Sequence, residues 1–182
     1  MTFYVRNLPH WQPPPGADIF ITWRLYGSLP ANMNFAAPPE SGGKLFLRYD
    51  GALDKAETGP VWLSDPRVAE CLIEALRKGQ AQNLFGVKAY AIMANHVHVL
   101  LEPRAPIGRI TQSIKGASAR EANRVLDQAG MHFWQQESFD HWIRTPQEWQ
   151  RIETYILQNP VKAGLVTSPE LWPWSSASRP ID

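Results

Sequence analysis

Residues 18 to 25 alternate between two faces. Ile19, Ile21, Trp23 and Leu25 fall on one side, and Phe20, Thr22 and Arg24 on the other. A period of two predicts a strand with one face against a core. After Asp65-Pro66 the period changes. Asp65 is a helix cap with proline at the first helical position, and Val68, Cys71, Leu72, Ala75 and Leu76 follow at helical spacing, so 66–79 is predicted as an amphipathic helix. Val87–Met93 and His96–Leu101 read as two strands joined by a turn at Ala94-Asn95, hence a hairpin. Residues 107–128 return to helical spacing, with Ile107, Ile110, Ile114 and Ala117 inward.

Residues 132–144 read as a short strand or extended segment. Thr145-Pro146-Gln147-Glu148 is then a capping box opening a helix with the stripe Trp149, Ile152 and Ile156, which Pro160 is expected to stop near Asn159. Two stretches read as irregular. Residues 6–17 are proline-rich and predict an extended arm, and 27–60, rich in Gly, Pro, Asn and Ser, predict a long loop with room for a short strand at Leu45–Arg48. Residues 167–182 form a tail whose Trp172-Pro173-Trp174-Ser175 suits aromatic packing. The order of elements predicts an α+β sandwich, with helices on one face of a mainly antiparallel sheet and the other face open for a site. No repeat or linker divides the 182 residues, so a single domain over 1–182 is expected.

Composition narrows the class. An apolar share of 44% and a charged share of 19% fit a globular chain and exclude a disordered one. One cysteine, Cys71, excludes an intrachain disulfide framework. The N-terminus has no apolar run of signal-peptide kind, and the most apolar stretch, Ala89 to Leu101, is too short to span a bilayer. A soluble, cytoplasmic protein with no membrane partner is therefore expected. Net charge is only +1, but Arg104, Arg109, Lys115, Arg120 and Arg124 face a single acid, Glu121, an excess of four positive charges over 104–124. Such a run is ordinarily a solvated helix face; beside a site that handles phosphate it becomes a candidate contact surface.

Two pairs carry chemistry. His96-Val97-His98 lies in a predicted strand, so both imidazoles share a face, roughly 6.5–7 Å apart along the chain and able to turn onto one metal ion. A bare His-X-His is also what two merely hydrogen-bonded histidines look like. Tyr155 and Asn159 are one helical turn apart, about 6 Å at the Cβ atoms. Asn159 offers a neutral oxygen suited to Mg²⁺ or Mn²⁺. An amphipathic core tyrosine has the same pattern. Taken together the four residues make a device for phosphodiesters. A metal at the histidines neutralises charge on a non-bridging oxygen, and a tyrosine hydroxyl, with its ordinary pKa near about 10, becomes a nucleophile once its ionisation is assisted.

Ala94-Asn95-His96-Val97-His98-Val99-Leu100-Leu101 resembles the histidine–hydrophobe–histidine motif of single-tyrosine transposases. Glu153-Thr154-Tyr155-Ile156-Leu157-Gln158-Asn159-Pro160-Val161-Lys162-Ala163-Gly164-Leu165-Val166 resembles the tyrosine helix of the REP-associated tyrosine transposases. Leu8-Pro9-His10-Trp11-Gln12-Pro13-Pro14, Phe133–Ser138, His141–Arg144 and Trp172–Ser176 extend the resemblance over nearly the whole chain. It implies a ferredoxin-like sheet, Tyr155 as nucleophile, His96 and His98 as metal ligands and Asn159 as the third. It implies Mg²⁺ or Mn²⁺ as cofactor. The implied substrate is single-stranded DNA folded as hairpins, cut and rejoined through a 5′-phosphotyrosine. Related insertion-sequence transposases carry glutamine where this chain has Asn159, and Ala94 stands where proline is common.

Arg6 and Trp11 on the extended arm, with Lys115, Arg120 and Arg144, are the candidate nucleic-acid contacts. Glu137 and His141 flank the extended segment and stay outside the catalytic set; His10 and His132 have no motif support. Two other classes share these residues: hydrolysis by metal-bound water, and a hairpin-binding relic that no longer cuts. A histidine-triad hydrolase is excluded, because Ala94 and Leu100 occupy the positions a third alternating histidine would need. A monomer and a homodimer both fit the sequence.

Overall fold

A computed structural model describes residues 3–5, 9–11, 14–29 and 42–181, with side chains from 14–29 and 46–181. The alternating segment forms the first strand of a βαββαβ core. Strands β1 (Phe3–Val5) and β2 (Pro9–Trp11) come first, followed by β3 (Ile19–Arg24) and helix α1 (Gly42–Lys55). Then follow α2 (Pro66–Ala81), β4 (Phe85–Ile92), β5 (His96–Pro103), α3 (Ile107–Val125), β6 (Phe139–Trp142) and α4 (Pro146–Lys162). The main sheet runs β4-β5-β3-β6 with every neighbour antiparallel, the ferredoxin-like order.

Alternation sorts the strand residues between two cores. Ile19, Ile21, Trp23, Val97, Val99 and Leu101 face α2 and α3, where Leu72, Ile73, Leu76, Ile110 and Ile114 bury them. Phe20, Ala91 and Leu100 face the other way, towards Ile156 and the half-buried Phe46 and Tyr155. The second sheet face is therefore not bare: α4 packs on β4 and β5, and α1 rests on the same side through Phe46.

Three expectations change. The loop expected over 27–60 contains α1, and the short strand at Leu45–Arg48 lies inside that helix. Phe46, Tyr49, Asp50 and Leu53 recur at helical spacing, and burying them outweighs the glycines around them. Residues 30–41 lie outside the described residues. The arm also holds structure. Pro9 starts β2 opposite Val5, tolerable because proline at the first residue of an edge strand need not donate; residues 6–8 and 12–13 are not described. Finally, α4 does not stop before Pro160 but continues to Lys162. Pro160 sits in the last turn, and the end is closed by Gly164 N–H to Val161 O and Leu165 N–H to Pro160 O, both 2.9 Å, with Gly164 at φ +72°. That extra turn brings Lys162 beside the site.

The C-terminal tail lies along the free edge of β4. Ser175 bridges Ala91, Trp174 O accepts from Ile92 N–H, and the Trp172 indole donates to Ile92 O at 3.0 Å. No helix among the described residues is long and apolar enough to cross a membrane.

Candidate active site

Strand β5 delivers both histidines to one spot. Their Nε2 atoms are 3.0 Å apart and their rings nearly perpendicular. Each ring is held from behind by its other nitrogen. His96 Nδ1 meets Asn95 Oδ1 at 2.7 Å, and His98 Nδ1 meets Thr22 Oγ1 at 2.8 Å, across the β3–β5 pairing. An amide oxygen can only accept, so His96 carries its proton on Nδ1 and turns a lone pair at Nε2 into the site. Asn95 also donates to Leu53 O at 3.1 Å, which fastens the hairpin turn to α1. Phe20 stacks on His98 at 5.9 Å, and Phe46 and Tyr155 meet it edge-on, so His98 stands in an aromatic box.

Helix α1 completes the cluster. Asp50 Oδ1 lies 3.2 Å from His98 Nε2 and 3.6 Å from His96 Nε2. One ligand atom from each of Asp50, His96 and His98 fits within 4.8 Å of the others, and all three residues are buried. Two imidazole nitrogens and one carboxylate are a sound donor set for a divalent ion. Asn159 Oδ1 is buried beside them with no hydrogen-bond partner among the described residues, and a cation would satisfy it. Asn159 Nδ2 donates to Asp50 Oδ2 at 3.4 Å, so α4 and α1 meet at this carboxylate.

Charge is uneven across the cluster. Burial, with the neighbouring His98 charge, pushes His96 down to about 3, so it is neutral near pH 7 and ready to ligate. Burial opposes the Asp50 carboxylate, but His98 and His96 outweigh it and hold the acid well below its ordinary value. Tyr155 is pushed the other way. Burial, then the Asp50 charge and its hydrogen bond, raise the phenol far above its ordinary range, and its hydroxyl donates to Asp50 Oδ2. Lys162 lies 3.0 Å from Asp54 and 3.7 Å from Asp50, with its ammonium over the Tyr155 ring. Asp54 itself is raised by burial first and by Asp50 second.

The structure brings His96, His98, Tyr155 and Asn159 together around Asp50. The contact candidates scatter. Lys115 donates to Gln135 O at 2.6 Å and Gln136 O at 3.0 Å, so its ammonium braces a loop. Arg120 is exposed on α3, and Arg144 sits over the Trp142 ring at 4.9 Å. Arg6 lies outside the described residues, and of Trp11 only the backbone is described, paired with Phe3. His141 pairs with Glu148 at 2.9 Å, tying β6 to the start of α4. Sequence reasoning missed Asp50, Asp54, Asn95 and Thr22. The spacing of Phe46, Tyr49, Asp50, Leu53 and Asp54 held the signal for the first two, and Thr22 shares a strand face with Phe20.

A family model described as "Transposase IS200 like" matches residues 61–159, more than half of the chain and both key motifs. The chain belongs to the IS200-like transposase family. Among solved structures, this transposase resembles a REP-associated tyrosine transposase bound to a REP hairpin. The match covers 100% of this chain and 88% of that one, at 20% identity and a TM-score of 0.58, a likeness of fold. A putative transposase from Deinococcus radiodurans R1 covers 76% of this chain and 87% of its own at 20% identity, with a TM-score of only 0.44. No curated protein matches the chain.

Proposed function

We propose that this IS200-like transposase is a metal-dependent endonuclease and strand transferase for single-stranded, hairpin-forming DNA, with Tyr155 as nucleophile. One observation carries the reading: the Tyr155 hydroxyl touches the Asp50 carboxylate, which in turn faces both histidine nitrogens. A tyrosine held one contact from a metal-ligand cluster is more than a core aromatic. The bound state of the fold relative supports the substrate class, since that protein was solved on a REP hairpin.

Asp50, His96 and His98 hold the ion in this reading, with Asn159 Oδ1 as a further oxygen ligand. Mg²⁺ or Mn²⁺ held there would supply positive charge that offsets Asp50 and would favour ionisation of Tyr155 and charge build-up on a phosphodiester oxygen. Asn95 and Thr22 fix the imidazole orientations. The Tyr155 hydroxyl, oriented by Asp50 Oδ2, loses its proton to solvent as the Oη–phosphorus bond forms and the phosphorus–O3′ bond breaks. The products are a 5′-phosphotyrosine and a 3′ oxygen that takes up a proton. Because the phosphoester is conserved, a second 3′-hydroxyl can reverse the step and join a new strand. Lys162 stands where it can steady charge beside the phenolic oxygen.

The test is a labelled single-stranded hairpin incubated with protein and either metal. A covalent protein–DNA adduct on the 5′ end of the cut, lost in Tyr155→Phe, is expected. Cutting that survives Tyr155→Phe would replace the nucleophile with water.

A further inference from the structure

A cleft of about 730 Å³ opens between α3 and residues 131–138. It lies on the sheet side that α3 covers, opposite the face of His96 and His98. The geometry points to a seat for a short run of single-stranded nucleic acid, bases inward and phosphates at the rim. This rests on the DNA-processing reading above and gives it a second contact surface, separate from the tyrosine.

The floor of the cleft is a line of α3 at four-residue spacing: Gly108, Gln112 and Gly116. Glycine is the poorest helix former after proline, yet two stand inside this helix. A Cβ built at either position meets nothing within 4 Å, so no packing among the described residues calls for glycine. Their lack of side chains leaves bare backbone along the cleft, which close approach of a ligand needs. Eight residues of helix separate them by about 12 Å. A stacked strand advances about 3.4 Å per nucleotide, so the floor accommodates three or four.

The walls suit bases. Lys115 draws the carbonyls of Gln135 and Gln136 onto α3 and so fixes the far wall. The side-chain amides of Gln112, Gln135 and Gln136 offer donors and acceptors together, as base edges do. His132 closes one end with the exposed Tyr26 ring 5.5 Å away, an aromatic platform open to solvent. Glu137 and Asp140 also line the cleft, and their charge keeps phosphates out of its depth. The phosphates belong outside, at Arg109 and Arg120, which are exposed and have no ion pair among the described residues; Arg124, by contrast, is tied to Glu121. Arg120 continues the glycine line by one more turn. The far wall also leads towards the catalytic strand: Gln135 N–H donates to Arg24 O at 2.9 Å, and Arg24 faces His96 across β3–β5.

The test uses the full chain as Tyr155→Phe, so that binding is read without covalent capture. Fluorescence anisotropy measures its affinity for a hairpin with single-stranded flanks, alone and with Gly108→Leu or Gly116→Leu added. At least tenfold weaker binding is expected, with a melting temperature equal to or above the parent's, because leucine is the better helix former. Unchanged affinity in both leucine variants overturns the cleft, even where Tyr155 still forms an adduct. Arg120→Gln, an exposed change that leaves packing alone, decides the case if leucine impairs folding. Losing one phosphate contact lowers the slope of log affinity against log salt by about 0.7; an unchanged slope counts against the seat. Glycine-sensitive binding in a protein that makes no adduct would retain the cleft and remove the tyrosine chemistry.

Discussion

The Tyr155 hydroxyl on α4 donates to Asp50 Oδ2 on α1, while Asp50 Oδ1 faces the ring nitrogens of His98 and His96 on β5. A single carboxylate thus links the proposed nucleophile to the proposed metal ligands. Asp50→Asn keeps the shape and removes the charge. We expect its Mn²⁺ affinity to fall by more than tenfold by calorimetry, with the fold retained by circular dichroism. Affinity equal to the parent's would remove Asp50 from the ligand set.

Asn95 acts through His96. Asn95→Ala strips the acceptor from His96 Nδ1 and the donor from Leu53 O, both buried. Lost support behind a metal ligand commonly costs about 10–100-fold in metal affinity. The unmet polar groups cost about 1–3 kcal/mol in stability. Urea melts and metal titration read the two effects separately.

Acid should weaken the metal-free protein. His96 has a folded value of about 3 against an ordinary 6.5, so between these the unfolded chain holds the extra proton. Its contribution is present above the upper value and lost as the pH falls through the window. Asp50, also held low, contributes above its ordinary 3.8 and loses that as the pH falls further. Both act in one direction, so the melting temperature is expected to fall steadily below about pH 6.5. A melting temperature flat down to pH 4 would contradict the buried, neutral His96.

Access to the site requires motion. His96, His98, Asp50 and Asn159 are all at most 1% exposed, with α1 forming the cover. Tyr155 is half-buried, so it is the approach of a phosphate to the buried Asp50, His96 and His98 that requires α1 to shift. Hydrogen exchange of the amides in 46–55 is expected to quicken when hairpin DNA binds to Tyr155→Phe, while α2 stays protected. Slower exchange along α1 would mean that DNA enters by another route.

Helix α4 presents Tyr155 and Asn159, and its start is fixed by Thr145, whose hydroxyl accepts from Glu148 N–H at 3.1 Å. Thr145→Ala should cost about 0.5–2 kcal/mol of stability in urea melts. Metal affinity should hardly change, because the cap is more than two turns from Tyr155 along α4.

The strand alternation at 19–25, the His96–His98 pair and the Tyr155–Asn159 turn were legible in the sequence because each depends only on local period. Asp50 was not. Its helix sits in a stretch of Gly and Pro where composition hid the spacing of Phe46, Tyr49 and Leu53, and its partner atoms are 46 and 105 residues away along the chain. Asn95 was legible as a turn residue, but its bond to Leu53 depends on the same hidden helix. Pro160 misled for a related reason. A local rule placed a stop there, while Gly164 and its two capping bonds carried the helix one turn further. Lys115 read as a phosphate contact from charge alone; the loop whose carbonyls it holds is 20 residues away.

The covalent chemistry of Tyr155 is read most directly by mass spectrometry of protein incubated with 5′- and 3′-labelled hairpin DNA and Mg²⁺ or Mn²⁺. A metal-dependent peptide from α4 carrying a 5′-phosphonucleotide on Tyr155 is expected, absent from Tyr155→Phe and His96→Ala. Cleaved DNA with no modified tyrosine, or cleavage undiminished in Tyr155→Phe, would contradict it.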